Sequence, residues 1–256
     1  MSGRRDRESR REERLREEQK IGATEQRQRM IKLASAGAFL ALVVVAVLIV
    51  ISSGSSGGGD SGNIVEAKEV DKLLAGIPQK GMVLGDPGAK VAVLEFGDLQ
   101  CPFCKGYSEE VLPQVIENRV RSGEATLEFR NFTIIGPQSK PAGAAALAAG
   151  EQGRGWNFVE LFYRNQGTEE SGYADAAFLT AIAKAAGVPN LAKWNRARKS
   201  QVTVARVEAT SAEAENLGFT GTPSFALEGP GASGVEAIGT PESVGELESA
   251  IENAGE

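Results

Sequence analysis

The sequence of 256 residues contains no histidine and only two cysteines. The lack of histidine excludes a Ser–His–Asp triad and a histidine-liganded zinc site. Two cysteines are too few for a four-cysteine zinc or iron–sulfur site. A formal net charge of −6 argues against a nucleic-acid-binding protein, which would carry a basic surface. Any chemistry must therefore use the two cysteines or side chains other than histidine.

The charge is distributed unevenly along the chain. Residues 1–32 contain 11 Lys or Arg against 7 Asp or Glu, whereas the residues after them contain 17 against 27. The first part is therefore net +4 and the rest net −10. We interpret residues 1–32 as a charged, solvated tail.

Residues 33–51 lack any charge and include the apolar run from Phe39 to Ile51. At about 1.5 Å per residue, a helix of this length measures roughly 28 Å, close to the hydrocarbon core of a bilayer. A cleaved signal peptide has a shorter basic region and a small-residue cleavage site, so we favour an uncleaved membrane anchor. Basic residues precede the segment, which predicts a cytoplasmic N-terminus and an extracytoplasmic C-terminal domain. We therefore expect a single-pass protein of the cell membrane.

The rest of the chain divides into a Ser/Gly-rich linker over residues 52–66 and one domain over residues 67–256. Early in the domain, Val91–Phe96 and Ala125–Phe132 have strand patterns, and a helix with an apolar face, interrupted at Pro113, lies between them. Strand–helix–strand indicates a parallel βαβ unit.

A helical block of about residues 139–217 follows the second strand. Strand patterns return after Gly221-Thr222-Pro223 and at Val235–Ile238, and Thr240 and Pro241 have the residue types that begin a final helix. The predicted fold class is α/β, in the order β-α-β, helical block, β-β-α.

The two cysteines occur in one motif, Cys101-Pro102-Phe103-Cys104, directly after the first predicted strand. Residues three apart on a helix can form a disulfide, and a helix N-terminus favours the thiolate of the first sulfur. The loop between them is too short for a structural disulfide to stabilise the fold much. The pattern predicts redox exchange rather than metal binding. A structural disulfide, or a zinc half-site shared between two copies, remains the alternative.

Glu95 interrupts the apolar strand before this motif. A carboxylate in a buried strand is expected to have a raised pKa, which suits it to relay protons. The alternative is an edge or solvent-facing position. The segment Gly221-Thr222-Pro223, considered by itself, is typical of a turn before a strand.

The string from Glu95 to Cys104, the distant Gly221-Thr222-Pro223 and the helical block between them resemble the membrane-anchored DsbA-like thiol:disulfide oxidoreductases of the thioredoxin superfamily. The resemblance covers about residues 66–256. It implies a thioredoxin-like core with an inserted helical subdomain. It further implies that Cys101 is the exposed nucleophile, Cys104 the buried resolving thiol and Glu95 a proton relay. Thr222 and Pro223 would form a cis-proline loop that binds substrate, and Pro102 and Phe103 the dipeptide that tunes the motif.

The same resemblance implies a membrane-tethered enzyme that exchanges disulfides with exported, cysteine-containing proteins. A membrane redox partner would reoxidise or reduce the motif, and no cofactor is implied beyond the Cys101–Cys104 disulfide. Many oxidising members carry a histidine between the cysteines, whereas Pro102 and Phe103 bring no charge. The direction therefore stays open among oxidase, slightly favoured, reductase and isomerase. The alternative function is a non-catalytic binding or scaffold module on the same fold.

Overall fold

The computed structural model describes residues 63–256. The charged tail, the predicted membrane anchor at 33–51 and residues 52–62 of the linker lie outside the described residues. Within residues 63–256, none of the helices combines the length and the apolar character needed to cross a membrane.

The domain begins with helix α1 (Ala67–Leu74) and a short hairpin of β1 (Gln79–Lys80) and β2 (Val83–Leu84). Strand β3 (Val91–Gly97) leads into α2 (Pro102–Glu110), α3 (Leu112–Val115) and a π-helical turn (Ile116–Val120), followed by β4 (Ala125–Asn131). Five helices come next: α4 (Ser139–Gly150), α5 (Gly155–Arg164), α6 (Ala176–Ala185), α7 (Leu191–Ala197) and α8 (Gln201–Asn216). Strands β5 (Ser224–Glu228) and β6 (Glu236–Gly239) and helix α9 (Val244–Gly255) complete the domain.

Within residues 63–256, six strands form one sheet in the order β1-β2-β4-β3-β5-β6. Strand β3 is central: it pairs in parallel with β4 and antiparallel with β5. The parallel β3–α2–β4 unit expected from the sequence is therefore confirmed, and so is the helical insertion, which occupies Ser139–Asn216 between β4 and β5.

The two faces of β3 belong to different parts of the core. Val93 belongs to the large cluster that also contains Cys104 of α2 and Tyr163 of α5. Leu94 and Phe96 belong to a smaller cluster with Ala214 of α8. Because side chains alternate along a strand, Glu95 shares the face of Val93, toward α2 and α5.

The structure differs from the sequence-based predictions in three details. The hairpin β1–β2 was not anticipated, since each strand has two residues and leaves almost no pattern. The interruption expected at Pro113 lies at Val111, because Pro113 has no N–H to continue the preceding helix. The final helix is capped by Ser243 rather than Thr240: the Ser243 hydroxyl accepts the N–H of Glu246 at 3.3 Å.

Candidate active site

Cys101 lies in the turn that joins β3 to α2 and is the N-cap residue of α2, with Pro102 in the first turn of the helix. Its N–H donates to the carbonyl oxygen of Asp98 at 3.0 Å, and its own carbonyl accepts the N–H of Lys105 at 3.2 Å. The first N–H groups of a helix have no partner within it, so they point toward the region of the Cys101 sulfur. The motif therefore sits where the sequence predicted, at a helix N-terminus.

The turn before Cys101 is fixed by the buried carboxylate of Asp98. Its Oδ1 accepts the N–H of Gln100 at 2.9 Å, and its Oδ2 accepts the N–H groups of Ile134 and Ile135 at 2.8 and 2.9 Å. These bonds tie the turn to the segment that follows β4. Asp98 therefore has a clear structural role, which the sequence alone did not reveal.

The helical insertion also holds this turn. The Gln166 side-chain amide donates to the carbonyl oxygens of Leu99 at 2.8 Å and of Cys101 at 3.1 Å. The Tyr163 hydroxyl donates to the Asp98 carbonyl at 3.3 Å. Both side chains come from α5 and the residues just after it, so the insertion supports the backbone of the turn from Asp98 to Cys101.

Both cysteines are free thiols. The Cys101 sulfur donates a hydrogen bond to the Thr222 carbonyl oxygen at 3.3 Å, and the Thr222–Pro223 peptide bond is cis. The pairing of Phe96 on β3 with Ser224 on β5 brings these two segments together, because the end of β3 lies against the start of β5.

The exposure of Cys101 differs from the expectation of an exposed nucleophile. Cys101 is only 2% exposed, whereas the neighbouring Phe103 is 78% exposed. The loop at Thr222 contacts the Cys101 sulfur, and Gln166 binds its carbonyl oxygen, so both sides of the residue are covered. Cys104 is fully buried, as expected.

The pKa values of the two thiols are shifted in opposite directions. The pKa of Cys101 is lowered to about 6, mainly by a hydrogen bond from the Cys104 thiol; burial opposes the shift, and the Thr222 hydroxyl and the N–H groups of Phe103 and Cys104 add to it. The pKa of Cys104 is raised well above its ordinary value by burial and by the negative charges of Cys101 and Glu95. At neutral pH the pair therefore carries its negative charge on Cys101.

Glu95 is fully buried, which rules out the edge or solvent-facing alternative. It is paired in register with Phe129 of β4 on one side and Phe225 of β5 on the other. Neither carboxylate oxygen has a hydrogen-bond partner among the described residues. Burial, followed by the negative charge of Glu160, raises the pKa of Glu95 to about 8. Glu95 therefore holds a proton near neutral pH, close enough to Cys104 to influence its ionisation.

Three residues of the site, Asp98, Glu160 and Gln166, are not predicted by the sequence patterns. Glu160 had a detectable signal, since it is a charged residue inside the apolar helix from Trp156 to Tyr163, just as Glu95 is in its strand. Gln166 has no such signal in the sequence, because a glutamine after a helix is common. Its contact with the turn before Cys101 depends on how the helical insertion packs against that turn.

The site contains a low-pKa cysteine at a helix N-terminus, a buried second cysteine three residues later and a cis-proline loop against the first sulfur. Together with the sheet and its helical insertion, this arrangement defines a thiol–disulfide oxidoreductase.

The comparisons with known proteins agree with this class. Residues 78–253 match the thioredoxin family. A curated relative, probable disulfide bond formation protein D of Bacillus cereus, is 31% identical over 150 residues, which cover 57% of this chain and 69% of the relative. The chain belongs to the thioredoxin family and is a DsbA-like protein disulfide oxidoreductase.

Two solved structures resemble the domain. The oxidised form of BdbD from Bacillus subtilis matches with a TM-score of 0.60 at 21% identity, covering 70% of this chain and 97% of that one. A thioredoxin-like oxidoreductase from Silicibacter pomeroyi matches with a TM-score of 0.53 at 28% identity, covering 72% and 96%. The BdbD match supports the fold alone at this level of identity.

Proposed function

We propose that this oxidoreductase is tethered to the cell membrane by residues 33–51, faces the extracytoplasmic side and oxidises the thiols of exported proteins. In this proposal Cys101 is the sulfur that exchanges with substrate and Cys104 is the resolving sulfur. The observation that carries the roles of the two sulfurs is their asymmetric placement: Cys101 caps α2 with its sulfur against the cis Thr222–Pro223 loop, whereas Cys104 is fully buried. The pKa of Cys101, lowered to about 6, and the raised pKa of Cys104 agree with this assignment.

In the oxidising direction, a substrate thiolate attacks the Cys101 sulfur of the Cys101–Cys104 disulfide. The bond between the two cysteines breaks, a mixed disulfide forms at Cys101, and Cys104 leaves as a thiolate that takes up a proton. A second substrate thiolate then attacks the substrate sulfur of the mixed disulfide, and Cys101 leaves as a thiolate. The substrate gains a disulfide, the enzyme becomes a dithiol, and a membrane redox partner accepts the two electrons.

The preference for oxidation follows from the stability of the reduced form. A thiolate at Cys101 is stabilised by the thiol of Cys104, by backbone N–H groups and by the Thr222 hydroxyl. Stabilising the reduced enzyme makes its disulfide a stronger oxidant. The helix N-terminus and these donors supply what a histidine between the cysteines supplies in other family members, so the uncharged Pro102 and Phe103 do not argue against an oxidase.

Four further residues, Glu95, Thr222, Pro223 and Phe103, take roles in this proposal. Glu95 gives a proton to the departing Cys104 thiolate in oxidation and removes one from the Cys104 thiol in reduction. The Thr222–Pro223 loop binds an extended segment of substrate next to Cys101. Phe103, whose side chain is largely exposed, offers an apolar contact to the same segment.

The direction is tested by equilibrating the full chain with glutathione buffers of graded composition and counting free thiols by alkylation and mass spectrometry. An oxidase predicts that Cys101 and Cys104 remain reduced in buffers as oxidising as a secretory compartment. A disulfide that persists in strongly reducing glutathione would indicate a reductase or a non-catalytic module instead. The comparison of Cys101→Ser with Cys104→Ser identifies the sulfur that forms the glutathione adduct.

The tether and its orientation have separate tests. A reporter that is active only outside the cytoplasm, fused after Glu256, should be active in membranes. Deleting residues 33–51 should release the protein from the membrane fraction or block its export. A stably expressed but inactive reporter fusion would place the domain on the cytoplasmic side and contradict the proposed compartment.

A further inference from the structure

A second acidic residue, Glu160 of α5, is as deeply buried as Glu95. Every residue of α5 from Gly155 to Tyr163 is buried, so this carboxylate sits in a helix with no solvent-facing side over that stretch. It accepts a hydrogen bond from the Ser108 hydroxyl of α2 at 3.0 Å. It is thus bonded directly to the helix that carries both cysteines.

The placement of α5 directs Glu160 toward Glu95. The Tyr163 hydroxyl lies next to Gly97: a Cβ atom at Gly97 would be 3.0 Å from it. Glu160 is three residues before Tyr163 on the helix, and Glu95 is two residues before Gly97 on the strand. Both steps keep the side chain on the same face of its element. The two carboxyl groups therefore face the same buried layer, beneath Tyr107 and Cys104 of α2.

Glu160 differs from Glu95 in having a connection to the surface. The Arg164 guanidinium lies 3.3 Å from its Oε2 and 2.8 Å from the Glu66 carboxylate, which is partly exposed. Glu95 has no partner among the described residues. A negative charge is therefore easier to keep on Glu160 than on Glu95, and Glu95 experiences that charge across the apolar layer.

We propose that Glu160 is a positioning residue of the redox site: its buried charge keeps the proton on Glu95 that Cys104 takes up when the disulfide opens. The proposal rests on the proposed role of Glu95. In the reverse reaction, the Cys104 thiol gives its proton to the Glu95 carboxylate. The Cys104 thiolate then attacks Cys101, the bond between Cys101 and substrate breaks, and substrate leaves as a thiolate with its electron pair.

Charged and hydrogen-bonding groups near Glu95 and Glu160 come mainly from the helices. Burial raises the pKa of Glu160 to about 7, while Arg164 and Ser108 oppose the shift and Glu109 adds to it. The residues beside Glu95 on the flanking strands are the uncharged Phe129 and Phe225, so the charge that acts on Glu95 comes from a helix residue, Glu160. The groups that face the pair are Cys104, Tyr107, Ser108 and Glu109 from α2, Tyr163 and Arg164 from α5, and Glu66 before α1.

The test follows the reduced full chain reacting with a chromogenic aromatic disulfide that releases one coloured thiolate in each of two steps. The first step, attack by Cys101, depends on reagent concentration. The second, in which Cys104 resolves the mixed disulfide, does not. Its rate is expected to rise with pH as Glu95 becomes ionised. Glu160→Gln keeps the size of the side chain and the hydrogen bond to Ser108 but removes the charge. We therefore expect the inflection in the pH dependence of the second-step rate to move to a lower pH by roughly 0.5–1 unit.

The controls separate this inference from the function on which it rests. Glu208→Gln removes the same charge from an exposed position on α8 and should leave both steps unchanged. Glu95→Gln should abolish the inflection, and adding Glu160→Gln to it should then have no effect on the second step. If Glu95→Gln abolishes the inflection but Glu160→Gln does not move it, the inference about Glu160 is wrong and the role of Glu95 stands. If neither variant alters the inflection, the role of Glu95 fails and the inference fails with it.

Discussion

The Cys101 sulfur lies 3.3 Å from the Thr222 carbonyl oxygen, although 121 residues separate them in the chain. The thiol donates to this carbonyl, while the Thr222 hydroxyl is buried and lacks a hydrogen-bond partner among residues 63–256. When the thiol loses its proton, the carbonyl can no longer accept from it, and the sulfur becomes an acceptor for the hydroxyl. The Thr222 carbonyl oxygen thus bonds the Cys101 thiol, and the Thr222 hydroxyl can bond the Cys101 thiolate.

The first prediction concerns the Thr222 hydroxyl. Thr222→Val keeps the shape of the side chain and the backbone carbonyl but removes the donor to the thiolate. We expect the pKa of Cys101 to rise from about 6 by up to about one unit. The pH dependence of Cys101 alkylation measures this pKa directly. Thr222→Ser, which keeps the hydroxyl, should leave it near the original value; equal shifts in both variants would argue against the hydroxyl.

The second prediction concerns Glu95 and stability. The pKa of Glu95 is about 8 in the folded protein and about 4.5 in an unfolded chain, so the folded state binds the extra proton between these values. Stability therefore falls as pH rises from about 4.5 to 8. Glu95→Gln should remove this dependence and raise the free energy of unfolding at pH 7 by about 3 kcal/mol, because pH 7 lies about 2.5 units above the unfolded-state pKa. Chemical denaturation at several pH values measures both effects.

The matched control for this prediction is Glu236→Gln, which alters an exposed carboxylate on β6. Its unfolding free energy should follow that of the unchanged chain at each pH. A Glu95→Gln protein that is less stable than the unchanged chain at pH 7, with the same pH dependence, would contradict the account of a buried, protonated acid.

The third prediction uses two glycines near the site. A Cβ atom at Gly97 would lie 2.7 Å from the Phe129 ring and 3.0 Å from the Tyr163 hydroxyl, so Gly97→Ala should destabilise the fold by about 1–3 kcal/mol. Gly106 lies in α2 with nothing within 4 Å of such an atom. Gly106→Ala should stabilise the protein by up to about 1 kcal/mol, because alanine favours the helix. Thermal unfolding of both variants gives the comparison, and a similar loss in both would refute the close packing at Gly97.

The fourth prediction concerns Gln166, whose amide bonds the carbonyl oxygens of Leu99 and Cys101. Gln166→Ala should loosen the turn before Cys101 and slow thiol exchange by roughly 3–10-fold, at a stability cost of about 1 kcal/mol. Stopped-flow exchange with a disulfide peptide measures the rate. Gln152→Ala removes a side-chain amide bond to the Asn190 carbonyl, beyond the opposite end of α4 from the segment that bonds Asp98, and should leave the rate unchanged. A rate loss of equal size in Gln152→Ala would mean that the effect is general rather than local.

The βαβ unit and the cysteine motif could be predicted because their signals are local: an apolar strand, a helix-starting Cys-Pro-Phe-Cys and a second strand. Glu95 could be predicted because an acid breaks a buried pattern. The covering of Cys101 by Thr222 and Gln166 could not be predicted, because it depends on strand pairing and on the docking of the insertion. The cap at Ser243 could not be predicted, because Thr240 and Pro241 are residue types equally suited to begin a helix. The position of the cap depends on where β6 ends, at Gly239, and on the turn that follows it.

The most direct test of the central claim is to react the reduced Cys101→Ser and Cys104→Ser proteins with oxidised glutathione and identify adducts by mass spectrometry. The account predicts that Cys104→Ser accumulates one glutathione on Cys101, whose lowered pKa favours the thiolate, while Cys101→Ser reacts far more slowly because the raised pKa of Cys104 leaves it as a thiol. The unchanged chain should pass through the adduct to the Cys101–Cys104 disulfide. An adduct that forms equally fast on Cys104, or on neither cysteine, would contradict the assignment of Cys101 as the exchanging sulfur.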